Sequence, residues 1–223
     1  MKFFLCFLKI CFLSFPLFVY SQKIEIIKDT VCLSGQCFEF QELKINKPLI
    51  YKEIQSAYHL FDNKTFTKYE DRLSYKKRLF KEYKSEKTLQ ESQYGFENYE
   101  IYFNKNNLLN MSISLQVYGS PYEDTKYFTF DLKEDKNISN LLFKNKKNLI
   151  KACLKKLEKI YQIKISLNFD NLSNYKINEN ESGDIYNLIF VFTNPKNRGE
   201  SYEVNFSYDE IKPYIKQKYL TLL

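Results

Sequence analysis

Histidine is nearly missing from this sequence and tryptophan is missing altogether: 223 residues carry one His and no Trp. A catalytic triad would have to use His59, and zinc sites take three or four His, Cys or acidic ligands. His59 lies between Tyr58 and Leu60 in a helical, apolar run and reads as a packing or surface residue. Five Gly and five Pro leave room for neither a glycine-rich phosphate loop nor a flexible linker, so one domain is expected. Arginine is scarce as well, with only Arg72, Arg78 and Arg198. Base and phosphate recognition leans on the planar Arg fork. The net charge of +7, almost all Lys, therefore reads as a solvated basic surface, and no nucleic-acid partner is expected.

What is present begins with an export signal. Residues 1–21, "MKFFLCFLKICFLSFPLFVYS", place a Lys before an apolar stretch that ends in Val19-Tyr20-Ser21, the pattern of a cleaved signal peptide. Lys9 and Pro16 interrupt the stretch and leave about ten apolar residues, fewer than the roughly 18 to 20 a spanning helix requires. Neither Cys6 nor Cys11 follows the small residue that lipidation demands. No later segment is apolar enough to span a bilayer, so residues 22–223 are expected to form one periplasmic or secreted domain without a transmembrane segment.

Within that domain the apolar spacing changes period several times. Residues 23–33 and 36–45 alternate at period two about Ser34-Gly35 and predict a hairpin. "PLIYKEIQSAYHLF" (48–61) and "TKYEDRLSYKKRLFKEYKSEK" (67–87) have helical spacing, the first with Pro48 at its start. From residue 97 two alternating runs flank Asn104-Lys105-Asn106-Asn107, and "DTKYFTFDLKEDK" adds a third strand, making a β-meander. A helix is expected from Ser139 to Gln162, with Leu142, Phe143, Leu149, Cys153 and Leu157 on one face. "IKISLNF" (163–169) and "IYNLIFVFTN" (185–194) read as strands, the second central and buried. Tyr202, Val204, Phe206 and Tyr208 alternate before Ser207 and Glu210 set up a capping box for a terminal helix that tolerates Pro213. The fold class is α+β, a mainly antiparallel sheet of the meander and C-terminal strands packed against helices.

Three cysteines remain in residues 22–223. If Ser34-Gly35 is a two-residue turn, Cys32 faces Cys37 as a non-hydrogen-bonded pair, within disulfide reach. The pair then reads as a structural staple, and Val31, Leu33, Phe38 and Phe40 share the core face while Lys28, Thr30, Glu39 and Gln41 lie outside with the cysteines. Cys153 falls on an apolar helical stripe and reads as a small buried hydrophobe. No catalytic, cofactor-binding or metal-binding residue stands out, and no carboxylate pair is distinguished among 27 acidic residues. Tyr and Phe are abundant, but they follow the strand and helix periods and so belong mainly to the core.

Three stretches carry a family resemblance. "YEIYFNKNNLLNMSISLQVYG", "KYFTFDLKEDKNISNLLFKNKKNLIKACLKKL" and "YEVNFSYDEIKPYI" resemble, in order, the extracellular α+β domain of lysozyme-sensing anti-sigma factors, also found beside the catalytic module of some peptidoglycan deacetylases. Asn104, Asn106, Asn107, Leu109, Phe130, Asp131, Leu132, Leu142, Phe143, Tyr208, Ile211, Lys212 and Pro213 fall at matching places, over roughly residues 95–216. Where that family has a Gly after the "FDL" strand, this chain has Glu134-Asp135-Lys136. "TNPKNRGESYEV" replaces the family's Pro-Tyr-rich segment. The deacetylase module has no counterpart here. Asp29-Thr30-Val31 resembles the short O-glycosylation acceptor of secreted Bacteroidota proteins. The resemblance implies a non-catalytic binding module of the bacterial cell envelope, with no cofactor, whose partner is a cell-wall glycan or a muramidase-like protein. A carboxylate-dependent glycan hydrolase and a purely structural envelope component are the alternatives.

Overall fold

Strand β1 (Glu25–Leu33) turns through Ser34 and Gly35, both at positive φ, into β2 (Gln36–Lys44), with Leu33 opposite Gln36 and Cys32 opposite Cys37. The register is the expected one, and Cys32 and Cys37 are joined by a disulfide. The computed structural model describes residues 24–58, 60–61, 64–194 and 200–223; the signal-like segment and His59 lie outside them. At its tip the hairpin is one-sided, with both cysteines exposed. At its base it is covered on both sides, and Gln41, expected outside, is buried. Alternation sorts a strand's two faces, but it does not reveal that a second layer covers the polar one.

Helix α1 (Pro48–Gln55) is shorter than its apolar pattern, and α2 (Tyr69–Ser85) nearly matches its own. The central sheet follows the order of the chain: β3 (Gly95–Lys105), β4 (Leu108–Val117), β5 (Glu123–Asp131) and the two-residue β6 (Lys136–Asn137). Asn106 and Asn107, at φ 51° and 63°, make the β3–β4 turn. Asn tolerates that left-handed region better than other side chains, and two such residues match the strands' twist. A bulge at Tyr102 shifts the register between Ile101 and Phe103 and reverses the facing of every residue beyond it. Tyr99 and Ile101 therefore pack with Leu109, Met111, Ile113, Phe128 and Phe130 under α1, whereas Phe103 joins Leu108 in the core on the opposite side of the sheet.

That second core belongs to the C-terminal half. Helix α3 (Lys146–Tyr161) buries Leu149, Cys153 and Leu157 against the sheet β7 (Tyr175–Glu179), β8 (Ile185–Thr193) and β9 (Ser201–Ser207). Strand β8 is the central one and is largely buried, as its composition implies. Three expectations fail here. The helix does not start at Ser139, whose hydroxyl accepts the Thr129 N–H at 2.8 Å. Asn145, at φ 51°, interrupts the backbone, and Phe143 forms an antiparallel bridge with Ile215 instead of a helical turn. Residues 163–169 form no strand. Ile163, Ile165 and Leu167 do alternate onto the core, but among the described residues no strand pairs with them. The capping box of Ser207 and Glu210 opens α4 (Tyr208–Ile211), a single turn. Pro213 lacks the N–H a further turn requires, and the chain continues in short 3₁₀ turns.

Two side-chain amides join the layers. Gln41 of β2 accepts the Tyr99 N–H on the outer edge of β3 at 3.0 Å. Asn110 of β4, fully buried, accepts the Ile177 N–H at 2.8 Å and donates to the Tyr175 carbonyl at 3.1 Å, so it serves the outer edge of β7. Asp135 stands where the resemblance expects Gly and adopts φ 50°. Its carboxylate receives the Leu49 and Ile50 N–H groups, capping α1, whose own preceding residue, Lys47, makes no side-chain cap.

Candidate functional site

Strand β7 crosses the central sheet from β5 to β3. Asn110 lies beneath it, and the Lys105 ammonium is bonded to Glu179 at the β3 side. The remainder of this face is left open. By the register of the three strands it presents Asn98, Glu100 and Tyr102 from β3, Ser112, Ser114 and Gln116 from β4, and Glu123, Thr125 and Tyr127 from β5. Polar residues at every second position on three neighbouring strands make a continuous polar floor. Beyond β7 the sheets stand apart. A cleft of about 340 Å³ opens between Tyr122, Thr125 and Tyr127 on one wall and Val191, Thr193 and Ser201 on the other.

Many of the floor's side chains are held in place. The Tyr102 hydroxyl lies 2.8 Å from Glu100 Oε2 and 2.8 Å from Ser112 Oγ, and Ser114 Oγ is 3.0 Å from Thr125 Oγ1. The rings of Tyr102 and Tyr127 stack at 6.3 Å. From the opposite wall Lys176 lies 5.7 Å from the Tyr102 ring centre and bonds Glu203 at 2.8 Å. Burial pushes the Tyr127 phenol up to about 12, with Glu203, Glu100 and Glu123 adding to the effect. Burial likewise raises Tyr102, and its bond to Glu100 adds to the rise, against the lowering by Ser112. Both phenols keep their protons in neutral solution and remain available as donors. The cleft thus combines the rings of Tyr122 and Tyr127, the hydroxyls of Thr125, Thr193 and Ser201 and the carboxylates of Glu123, Asp124 and Glu200, a set that binds a hydroxylated, uncharged or weakly basic ligand and repels a polyanion.

A second polar cluster is fully enclosed. Arg72 Nη1 and the Lys76 ammonium each lie 2.7 Å from Glu42 and from Glu97, and Arg72 engages both Glu97 oxygens. The Tyr99 hydroxyl bonds Arg72 at 2.9 Å and Glu97 at 3.0 Å. Burial opposes the Glu97 charge, but Lys76 and Arg72 overcome it and hold the carboxyl well below the usual carboxylate range. All four charged side chains are at most 4% exposed, so no ligand reaches them. They pin α2 to β2 and β3.

The sequence-selected residues fall outside the cleft. Cys32 and Cys37 close the exposed hairpin tip. Cys153 is buried, and burial pushes its thiol up to about 12. Thr30 is exposed on β1 beside Asp29, which bonds Lys77. None of the cleft residues was singled out by sequence. The available signal was the run of Asn, Ser and Thr at alternate positions on three successive strands, which is easily set aside as the solvent side of an ordinary sheet. Among the described residues, no group of three or more His, Cys, Asp and Glu is placed to hold a metal ion. Among them, too, no helix is long and apolar enough to cross a membrane. No family model and no curated protein matches the chain.

Proposed function

We propose that the protein is an exported, non-catalytic binding module of the bacterial cell envelope, and that the inter-sheet cleft holds a segment of cell-wall glycan. The observation that carries this reading is the cleft itself. Tyr122, Tyr127 and Thr125 line one wall, with the Tyr127 ring stacked on Tyr102 and Thr125 bonded to Ser114, and Thr193, Glu200 and Ser201 face them. Aromatic faces suit the apolar side of a sugar ring, and hydroxyl and carboxylate groups suit its hydroxyls and acetamido groups. The disulfide supports export, because such bonds persist in oxidising compartments. Glu100, Glu123, Glu200 and Glu203 around the cleft argue against a nucleic-acid backbone at this site.

Calorimetric titration of the purified protein with soluble peptidoglycan fragments tests the reading. Binding is expected, and Tyr127→Ala is expected to weaken it about three- to tenfold, the scale of one aromatic contact. Absence of binding, or binding indifferent to Tyr127, removes the glycan from this cleft. A muramidase titrated in parallel tests the protein partner, and release of reducing ends from the glycan would identify a hydrolase instead.

A further inference from the structure

Side chains meet the outer edges of β3, β7 and β9, but a stretch of the β5 edge is left open. The β3 edge meets Gln41 and the β7 edge meets Asn110. On β9, the Tyr161 hydroxyl accepts the Glu203 N–H at 3.2 Å and donates to its carbonyl at 3.1 Å. On β5, Thr129 gives its N–H to Ser139 and receives Ile138 N–H at 2.7 Å. The peptide groups of Thr129 therefore point away from β4. By the two-residue period, so do those of Tyr127, Thr125 and Glu123, and among the described residues these three have no backbone partner. An unpaired row of N–H and C=O groups is a template for another strand. Lysine commonly blunts such an edge, but the Lys126 ammonium is drawn onto the Ala57 carbonyl and lies 4.7 Å from the Tyr58 ring centre.

We propose that Glu123–Tyr127 pairs with the same segment of a second copy of this chain, antiparallel about a two-fold axis at Thr125. The charges and the hydrogen-bonding phase select this partner and this register together. Thr125 faces its own copy and Glu123 faces Tyr127, and these are the residues whose peptide groups point outward. Six backbone hydrogen bonds form. Asp124 then faces Lys126 twice, in the non-hydrogen-bonded positions where side chains approach most closely. The Lys126 ammonium has three donors, so it can serve Ala57 and the facing Asp124 together. The same register brings Tyr122, 65% exposed, opposite Phe128, which with Asn140 and Leu141 lines a second cleft of about 340 Å³. An exposed aromatic side chain on each copy thus meets a cleft on the other, as an isologous interface requires.

Sedimentation equilibrium of the purified protein is expected to give the mass of one chain when dilute and of two in the upper micromolar range. Asp124→Lys should return it to one chain, and the double exchange Asp124→Lys with Lys126→Asp should restore two. Thr125→Cys places a thiol on the two-fold axis. Hydrogen-bonded antiparallel pairs bring Cα atoms to about 5.5 Å, within disulfide reach, so mild oxidation should yield a covalent dimer. One chain at every concentration up to about 1 mM would overturn the proposal. So would a dimer unaffected by Asp124→Lys, or Thr125→Cys protein that stays uncrosslinked.

Discussion

Arg72 is the residue on which the largest single-site effect is expected. Its guanidinium is 1% exposed and holds two carboxylates. Charges removed from water lose hydration energy that only good geometry restores. Replacing Arg72 by Met leaves Glu42 and Glu97 buried with Lys76 as their only cation. Denaturant unfolding should show a loss of about 3–5 kcal/mol, and a loss below about 1 kcal/mol would mean the cluster relaxes or takes up water. The sequence disclosed little of this. Tyr69, Leu73, Lys76, Phe80 and Tyr83 recur at helical spacing and put Lys76 on one stripe of α2, but a stripe cannot say that carboxylates from β2 and β3 converge on the same point. Glu42 and Glu97 are 55 positions apart, and nothing local relates them.

At the scale of elements, the hairpin of β1 and β2 was the most legible piece. A two-residue turn, alternating apolar residues and facing cysteines all imply one register, and that register is found. Its disulfide closes a short loop and should stabilise by about 2 kcal/mol in the chain-entropy model. Reduction should lower the melting temperature without changing the far-ultraviolet dichroism, and intact-mass measurement should show the bond before reduction. The elements that escaped were those whose apolar pattern answers to burial alone. Residues 163–169 alternate because they lie over a core, and 139–145 carry Leu142 and Phe143 inward without forming a helix. Strand β7 was missed for the opposite reason. It is five residues long, polar at alternate positions, and joined on its outer edge to the side chain of Asn110.

For the whole molecule, the α+β class with a mainly antiparallel sheet followed from the order of periods along the chain, and it holds. The division into three antiparallel sheets with a cleft between two of them did not follow, because periodicity is blind to which sheet packs on which. Acid stability is also a property of the whole. The Glu97 carboxyl is depressed below its usual 4.5. Its contribution is complete above about pH 4.5 and is lost as the pH falls toward the lower, folded value. Chemical denaturation followed from pH 7 to pH 3 should show stability falling below about pH 4.5. In Arg72→Met protein the fall should be smaller, and an equal fall would assign it to other carboxylates.

The bulge at Tyr102 bears on how this protein can vary over evolutionary time. Because one extra residue reverses the facing of all that follows in β3, loss of that residue would send Phe103 and Lys105 to the wrong side while leaving composition almost unchanged. Substitutions along β3 are local events, but a gain or loss of one codon there exchanges the strand's two addresses at once. Length in this strand should therefore be held under stronger selection than residue identity, and length changes should collect in loops that serve only one layer.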